Sequence, residues 1–232
     1  MSNIKLDVRA YPLAEPKGST VSFASASIND MVAIRGIRVV ESEKGKFVAM
    51  PQSQDKNGDY HDIAFPLDGE LRKELNAAVL EEHEKMASLA PEQRGYANPD
   101  KSAMQDINAD EINLSVKVYP LSDPKGSTVA FVNVGIADLV AINSIRIVNS
   151  DSGMFVAMPQ SKDKDENYHD IAFPVNGALR KAVSKAVLTE YDKAIGKEKS
   201  VGARLNDGAE KVAKHTAPPG DVAAKGAPGL GD

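Results

Sequence analysis

Apolar and polar positions alternate along much of this chain, and a helical pattern follows the alternation. Ala24, Ala26 and Ile28 share one face of a stretch with a period of two, and the matching positions 130–136 are wholly apolar on that face. Such a period predicts β-strands. From Leu71 onward the apolar positions recur instead at helical spacing. The pattern predicts an antiparallel β-meander followed by one amphipathic helix, which is an α+β unit.

The whole pattern occurs twice. Ile37–Pro66 returns as Ile145–Pro174, 108 residues later, and the match runs without a gap from 11–85 to 119–193. A repeat of this length predicts two tandem modules. The predicted divisions are a first module at 1–87, a polar linker at 88–112, a second module at 113–198 and a disordered tail at 199–232. A flexible linker of that length lets the modules pack side by side, which predicts an intramolecular pseudo-dimer.

Charge and composition narrow the function. The chain has no cysteine and a formal net charge of −5, so thiolate chemistry is excluded and nucleic-acid binding needs a local basic patch. No apolar signal core opens the sequence, and no apolar run reaches the length of a membrane span. We therefore expect a cytoplasmic protein without a membrane partner.

The sequence Tyr-His-Asp at 60–62 and 168–170 is the only one that suggests acid–base chemistry. On a strand, His61 points away from both of its neighbours, and no metal-ligand spacing accompanies it. We therefore predict no enzyme, no metal and no cofactor. Asp62 and Asp170 are expected either to bind backbone groups or to pair with a partly buried arginine such as Arg38 or Arg146.

Two further expectations concern the polar loop that precedes this sequence. Its tip is Asn57-Gly58 in the first copy but Asp165-Glu166 in the second, so a positive φ is not expected in both copies. The modules also show no interleaved aromatic residues for stacking on single strands, and Tyr60 and Tyr168 are predicted to pack in the core or at its rim.

The repeated segment contains a series of short motifs. They are an Ile-Arg-Val strand at 37–39, the sequence Phe-Val-Ala-Met-Pro at 47–51, Tyr60, Asp-Ile-Ala at 62–64 with Pro66, and Arg72, and the second copy has the corresponding residues. In this series the segment resembles the SpoVG family of septation regulators. The resemblance implies a small, dimeric, non-enzymatic regulator of septation and sporulation that binds DNA or RNA through the polar loop and the helix region. With two copies in one chain, the resemblance implies that the homodimer becomes a pseudo-dimer, and a higher oligomer stays open.

Basic residues distinguish the two copies. The first helix region, 67–86, has three basic residues against six acidic ones, whereas Arg180, Lys181, Lys185 and Lys193 face only two acidic residues in the second. After the Phe-Val-Ala-Met-Pro sequence, Lys162 is the one cation where the family carries a basic pair. The predicted nucleic-acid-binding residues are Lys162, Lys164, Arg180, Lys181 and Lys185, with Arg72 and Lys73 in the first copy. The alternative is a structural or protein-interaction module of the septation machinery that does not bind nucleic acid.

Overall fold

Each copy of the repeat folds into an antiparallel sheet, a small hairpin and one helix. The structure is a computed structural model that describes residues 4–55, 57–94, 108–124, 126–163 and 165–196. The predicted tail and most of the predicted linker, like Lys164, lie outside the described residues. Among the described residues, no helix is both long and apolar enough to cross a bilayer.

The elements follow the same order in both copies. In the first copy they are β1 (Leu6–Lys17), β2 (Thr20–Ile28), β3 (Val32–Ser42), β4 (Gly45–Ala49), β5 (Gln52–Gln54), β6 (Tyr60–Asp62), β7 (Ala64–Pro66) and α1 (Gly69–Ser88). In the second copy they are β8 (Leu114–Pro120), β9 (Thr128–Ile136), β10 (Val140–Ser150), β11 (Gly153–Ala157), β12 (Gln160–Lys162), β13 (Tyr168–Asp170), β14 (Ala172–Pro174) and α2 (Gly177–Ala194). The predicted α+β class, a meander followed by a helix in each module, is confirmed.

The last strand of each copy joins the sheet of the other copy. The first sheet has the order β1-β2-β3-β14 with β4 also on β3, and the second has β11-β10-β9-β8 with β7 also on β10. In the first sheet Phe173 lies opposite Ala33, and in the second Phe65 lies opposite Ala141. The predicted pseudo-dimer is therefore confirmed, and its two halves are joined by a reciprocal exchange of strands.

A kink in β3 lets two strands share one of its edges. β14 pairs with residues 32–34 and β4 with residues 38–42, and the pairing with β2 shifts register between them. Gly36 lies at this bulge with φ +71°, and Ser144 has φ +60° at the matching bulge of β10. The bulge separates the part of the strand that pairs within its own copy from the part that pairs with the exchanged strand.

One continuous core lies between the sheets and the helices. Ile34 and Ile142 are fully buried where the exchanged strands attach, and Leu75 and Leu179 are fully buried on the inner faces of α1 and α2. Each helix begins at a side-chain cap, with Asp68 and Asn176 each accepting two backbone N–H groups. Most of the buried apolar residues of both copies belong to the same cluster, so we expect the copies to fold as one unit.

Candidate nucleic-acid interface

The hairpin of β12 and β13 is fastened to α2 by one carboxylate. Asp170 accepts a hydrogen bond from Gln160 Nε2 at 2.9 Å on one oxygen, and from an Arg180 guanidinium nitrogen at 3.0 Å on the other. The side chains of Arg180 and Asp170 are only 22% and 10% exposed, so this ion pair is largely shielded from water. Arg180 therefore positions the hairpin against the helix.

The first copy repeats this arrangement. Asp62 accepts from Gln52 at 2.9 Å and from Arg72 at 3.2 Å. Each aspartate therefore pairs with an arginine, which is one of its two expected roles, but naming Arg38 or Arg146 as that arginine is wrong in both copies. The arginine near the helix start is the partner because the helix follows directly and brings it back beside the hairpin.

A second carboxylate organises the loop between β12 and β13. Asp163 accepts backbone N–H groups from Asp165 and Asn167 at 2.8 Å each, and a hydrogen bond from His169 Nε2 at 2.7 Å. The hydrogen bond from His169 lowers the pKa of Asp163, and the bonds from Asn167 lower it further. Asp55 and His61 form the same pair at 3.0 Å in the first copy. The histidines thus hold the loops in shape.

The loop tips share one backbone conformation. Gly58 has φ +92°, and Glu166, at the matching position, has φ +66°. The expectation that a positive φ is not needed in both copies is therefore wrong. The backbone hydrogen bonds to Asp55 and Asp163 fix the same turn in both, and they hold a non-glycine residue in it.

Lys162 lies near the tip of this hairpin. Its Nζ is 2.7 Å from a carboxylate oxygen of Glu166 and 5.8 Å from the ring centre of Tyr168. Tyr60 and Tyr168 are each 65% exposed, so the prediction that they pack in the core or at its rim is wrong, and both lie on the hairpin surface. Lys162 is thus solvent-accessible, with one charge partner that it can exchange for a phosphate.

Lys181 and Lys185 lie one turn apart on the exposed face of α2. Neither forms an ion pair with any carboxylate in the described parts of the chain, whereas Lys193 on the same helix is 2.7 Å from Glu190. On α1, Lys73 is 2.7 Å from Glu70 and Lys85 is 3.0 Å from Glu82. Lys181 and Lys185 therefore share one exposed helix face without an ion pair among the described residues. Arg180 in the second copy, like Arg72 and Lys73 in the first, is paired with a carboxylate of its own copy.

Arg35, which no sequence pattern distinguishes, reaches this region from the other copy. The central carbon of its guanidinium lies 4.9 Å from the ring centre of Phe173, and that of Arg180 lies 5.6 Å from the same ring. The matching residue of the second copy is Asn143, whose side chain donates instead to the Asp62 carbonyl at 3.0 Å. The two seams, where β14 pairs with β3 and where β7 pairs with β10, therefore differ. Of the two, only the β3–β14 seam places two guanidinium groups beside one aromatic ring.

His83 is the remaining histidine in the described part of the chain, and it lies inside the core. Its residue is 3% exposed, and burial lowers its pKa, so the neutral form is favoured. Tyr191 takes the matching place in the second copy, and it is also buried. His83 is therefore a core residue rather than part of a surface site.

Comparisons with known proteins agree with this architecture. The family model of SpoVG matches residues 3–85 and 112–193. A protein of Lachnospira eligens is 39% identical over 79 residues, which are 34% of this chain and 89% of the relative. A protein of Clostridium perfringens is 31% identical over 83 residues, which are 36% of this chain and 91% of the relative. Both carry the name septation protein SpoVG, and each alignment is about as long as one copy.

Proposed function

Because this chain belongs to the SpoVG family, we propose that it acts in septation by binding nucleic acid, mainly through its second copy. The septation role is supported by the names of the relatives, which are called septation protein SpoVG. The binding role is supported by the distribution of charge over the two copies. The interface comprises Lys162 on the hairpin and Lys181 and Lys185 on α2.

One observation carries this proposal. Lys181 and Lys185 lie on an exposed helix face without a carboxylate partner among the described residues, while the lysines described on α1 are both paired. Cations without a partner have no ion pair to break before they meet a phosphate. Phosphate contacts of this kind supply sequence-independent affinity and release counterions. In a chain with net charge −5, such a patch binds weakly and loses affinity steeply as salt rises.

We propose a binding role without catalysis. His61 and His169 are each bonded to the aspartate that shapes their own loop. Among the described residues, no three metal-ligating side chains form a group. A nucleophile, a base and an orienting group have to converge for the simplest hydrolytic mechanisms, and these loop pairs serve the backbone instead.

Replacing both helix lysines is expected to weaken binding and its dependence on salt. Lys181→Ala with Lys185→Ala removes two phosphate contacts, so the slope of log affinity against log salt decreases by roughly 2. The measurement is a salt titration of a labelled DNA duplex by fluorescence anisotropy. The matched control is Lys73→Ala on α1, which removes a cation already paired with Glu70 and leaves affinity and slope unchanged.

An unchanged slope in the double variant would overturn the proposal. If the wild-type chain binds neither DNA nor RNA, the proposed nucleic-acid binding is wrong, and a role as a protein-interaction module of the septation machinery becomes the better explanation. One surface favours that second function, because α1 exposes an acidic face with Glu74, Glu81 and Glu84. Such a face suits a basic protein partner rather than a nucleic acid.

A further inference from the structure

A row of two aromatic side chains and an arginine crosses the open face of the second sheet. Tyr119 on β8 lies opposite Phe131 on β9, and Phe131 lies opposite Arg146 on β10. Their neighbours along β9, Ala130 and Val132, are fully buried on the other face, against which α2 packs. Tyr119 and Phe131 are 42% and 43% exposed. Two large, partly exposed rings thus lie on neighbouring strands, outside both the hairpin and the helix.

This face is also positively charged. The Nζ of Lys117 lies 5.5 Å from the ring centre of Tyr119, and Arg146 completes the row at its other end. The outward residues of the three strands carry no carboxylate within the described part of the sheet, and neither Lys117 nor Arg146 forms an ion pair with a described residue. A cationic aromatic surface on a chain of net charge −5 needs an explanation other than solubility.

We propose that this face, formed by Lys117, Tyr119, Phe131 and Arg146, is a stacking platform for single-stranded nucleic acid. The inference rests on the proposed function and adds to it a second surface and a substrate class. Bases of single strands stack on aromatic side chains of open sheets, and the flanking cations meet the phosphates. Neighbouring strands lie about 4.8 Å apart, so the row spans roughly 10 Å and accommodates two bases.

Charge argues against a second copy of this chain as the occupant. Meeting face to face, two such sheets bring Lys117 and Arg146 against like charges. The first sheet presents the matching row Tyr11, Phe23 and Arg38, with Arg9 at the position of Lys117. Repulsion between like charges therefore also opposes pairing of the first sheet with the second.

The first sheet offers a weaker version of the platform. Phe23 is half-buried there, and Arg9 lies 3.8 Å from Asp7, which introduces a negative charge. The second copy has Ser115 at the position of Asp7. The first sheet therefore provides the matched control positions.

The test compares single-stranded and duplex probes on the full chain. Tyr119→Leu and Phe131→Leu keep the apolar contacts but remove the rings. Each is expected to lower affinity for a labelled oligo(dT) of about 12 nucleotides by about fivefold or more, and the two together by roughly 25-fold. Duplex affinity and the salt slope stay unchanged, because no phosphate contact is lost. Tyr11→Leu with Phe23→Leu has a smaller effect on oligo(dT).

A fluorescent reporter tests the same platform without removing it. The chain contains no tryptophan, so Phe131→Trp introduces a single one that preserves a ring at the centre of the row. Its emission is expected to be quenched by oligo(dT) but not by duplex, and Phe23→Trp to respond less.

The outcomes separate the two proposals. Full oligo(dT) affinity in the double leucine variant overturns the platform and leaves the proposed function intact. If the wild-type chain binds none of the probes, the proposed function is overturned, and the platform with it. Self-association of the wild-type chain that the leucine variants abolish overturns the platform in favour of contact between copies.

Discussion

Ala172→Asp is expected to lower the free energy of unfolding by about 3–5 kcal/mol relative to the wild-type chain, with unfolding still in a single transition. Ala172 is fully buried on β14, opposite the fully buried Ile34 of β3. A carboxylate placed there has no cation or water to replace its hydration, so it either stays charged at a large penalty or binds a proton. Chemical denaturation at neutral pH, followed by circular dichroism, measures the change.

The number of unfolding transitions shows whether the two copies unfold together, which the midpoint alone does not show. Residue 172 belongs to the second copy but lies in the first sheet, so its substitution is expected to destabilise both copies together. Ala64→Asp on β7 is the mirror variant, with the same expected loss, because Ala64 is fully buried opposite Ile142. Ser25→Asp is the control on the outer face, opposite Arg9, with little effect. Separate transitions, with the first copy melting unchanged, would contradict the shared core.

The second large effect is expected at α2. Leu179→Ala removes a fully buried side chain from the inner face of the helix and is expected to lower the unfolding free energy by about 2–5 kcal/mol. The loss arises from the smaller apolar area buried and from the cavity that remains. Affinity for nucleic acid is expected to stay unchanged at temperatures where the variant is folded, because Leu179 does not reach the surface.

The lysine variants provide the opposite result. Lys181→Ala and Lys185→Ala change exposed positions of the same helix, so they are expected to weaken binding without altering the unfolding free energy by more than about 0.5 kcal/mol. If Leu179→Ala weakened binding as much as the lysine variants did, the helix face would not be acting through its charges.

Local structure was readable from the sequence, because local patterns determine it. The period of two in β9 and the helical spacing from Leu71 predicted the elements, and the repeat predicted two modules. The exchange of strands was not readable. β7 and β14 have the same three residues, Ala-Phe-Pro, so nothing in either strand tells its own sheet from that of the other copy. The choice depends on how the whole core closes.

Side-chain contacts between neighbouring strands were also not predicted from the sequence. Tyr119 and Phe131 are separated by a turn in the sequence and become neighbours only when β8 and β9 pair in register. For this reason the sequence alone showed no interleaved aromatic residues, although the folded sheet places two aromatic residues side by side. Arg35 was missed for a related reason, since its contact with Phe173 needs the exchanged strand. Both surfaces arise from pairing, which a single sequence leaves open.

Disulfide trapping across the two seams tests the reciprocal exchange most directly. The chain has no cysteine, so each introduced pair is unique. Ala33 lies opposite Phe173, and Ala141 lies opposite Phe65. Directly opposed residues of an antiparallel pair have Cα atoms about 4.5–5.5 Å apart, within disulfide range.

We expect Ala33→Cys with Phe173→Cys, and separately Ala141→Cys with Phe65→Cys, to form disulfides within single chains. Mass spectrometry after proteolysis under non-reducing conditions identifies the linked peptides. The pairs Ala33→Cys with Phe65→Cys and Ala141→Cys with Phe173→Cys, which join residues within one copy, are predicted to stay reduced. Efficient oxidation of the within-copy pairs, with none across the copies, would contradict the exchange.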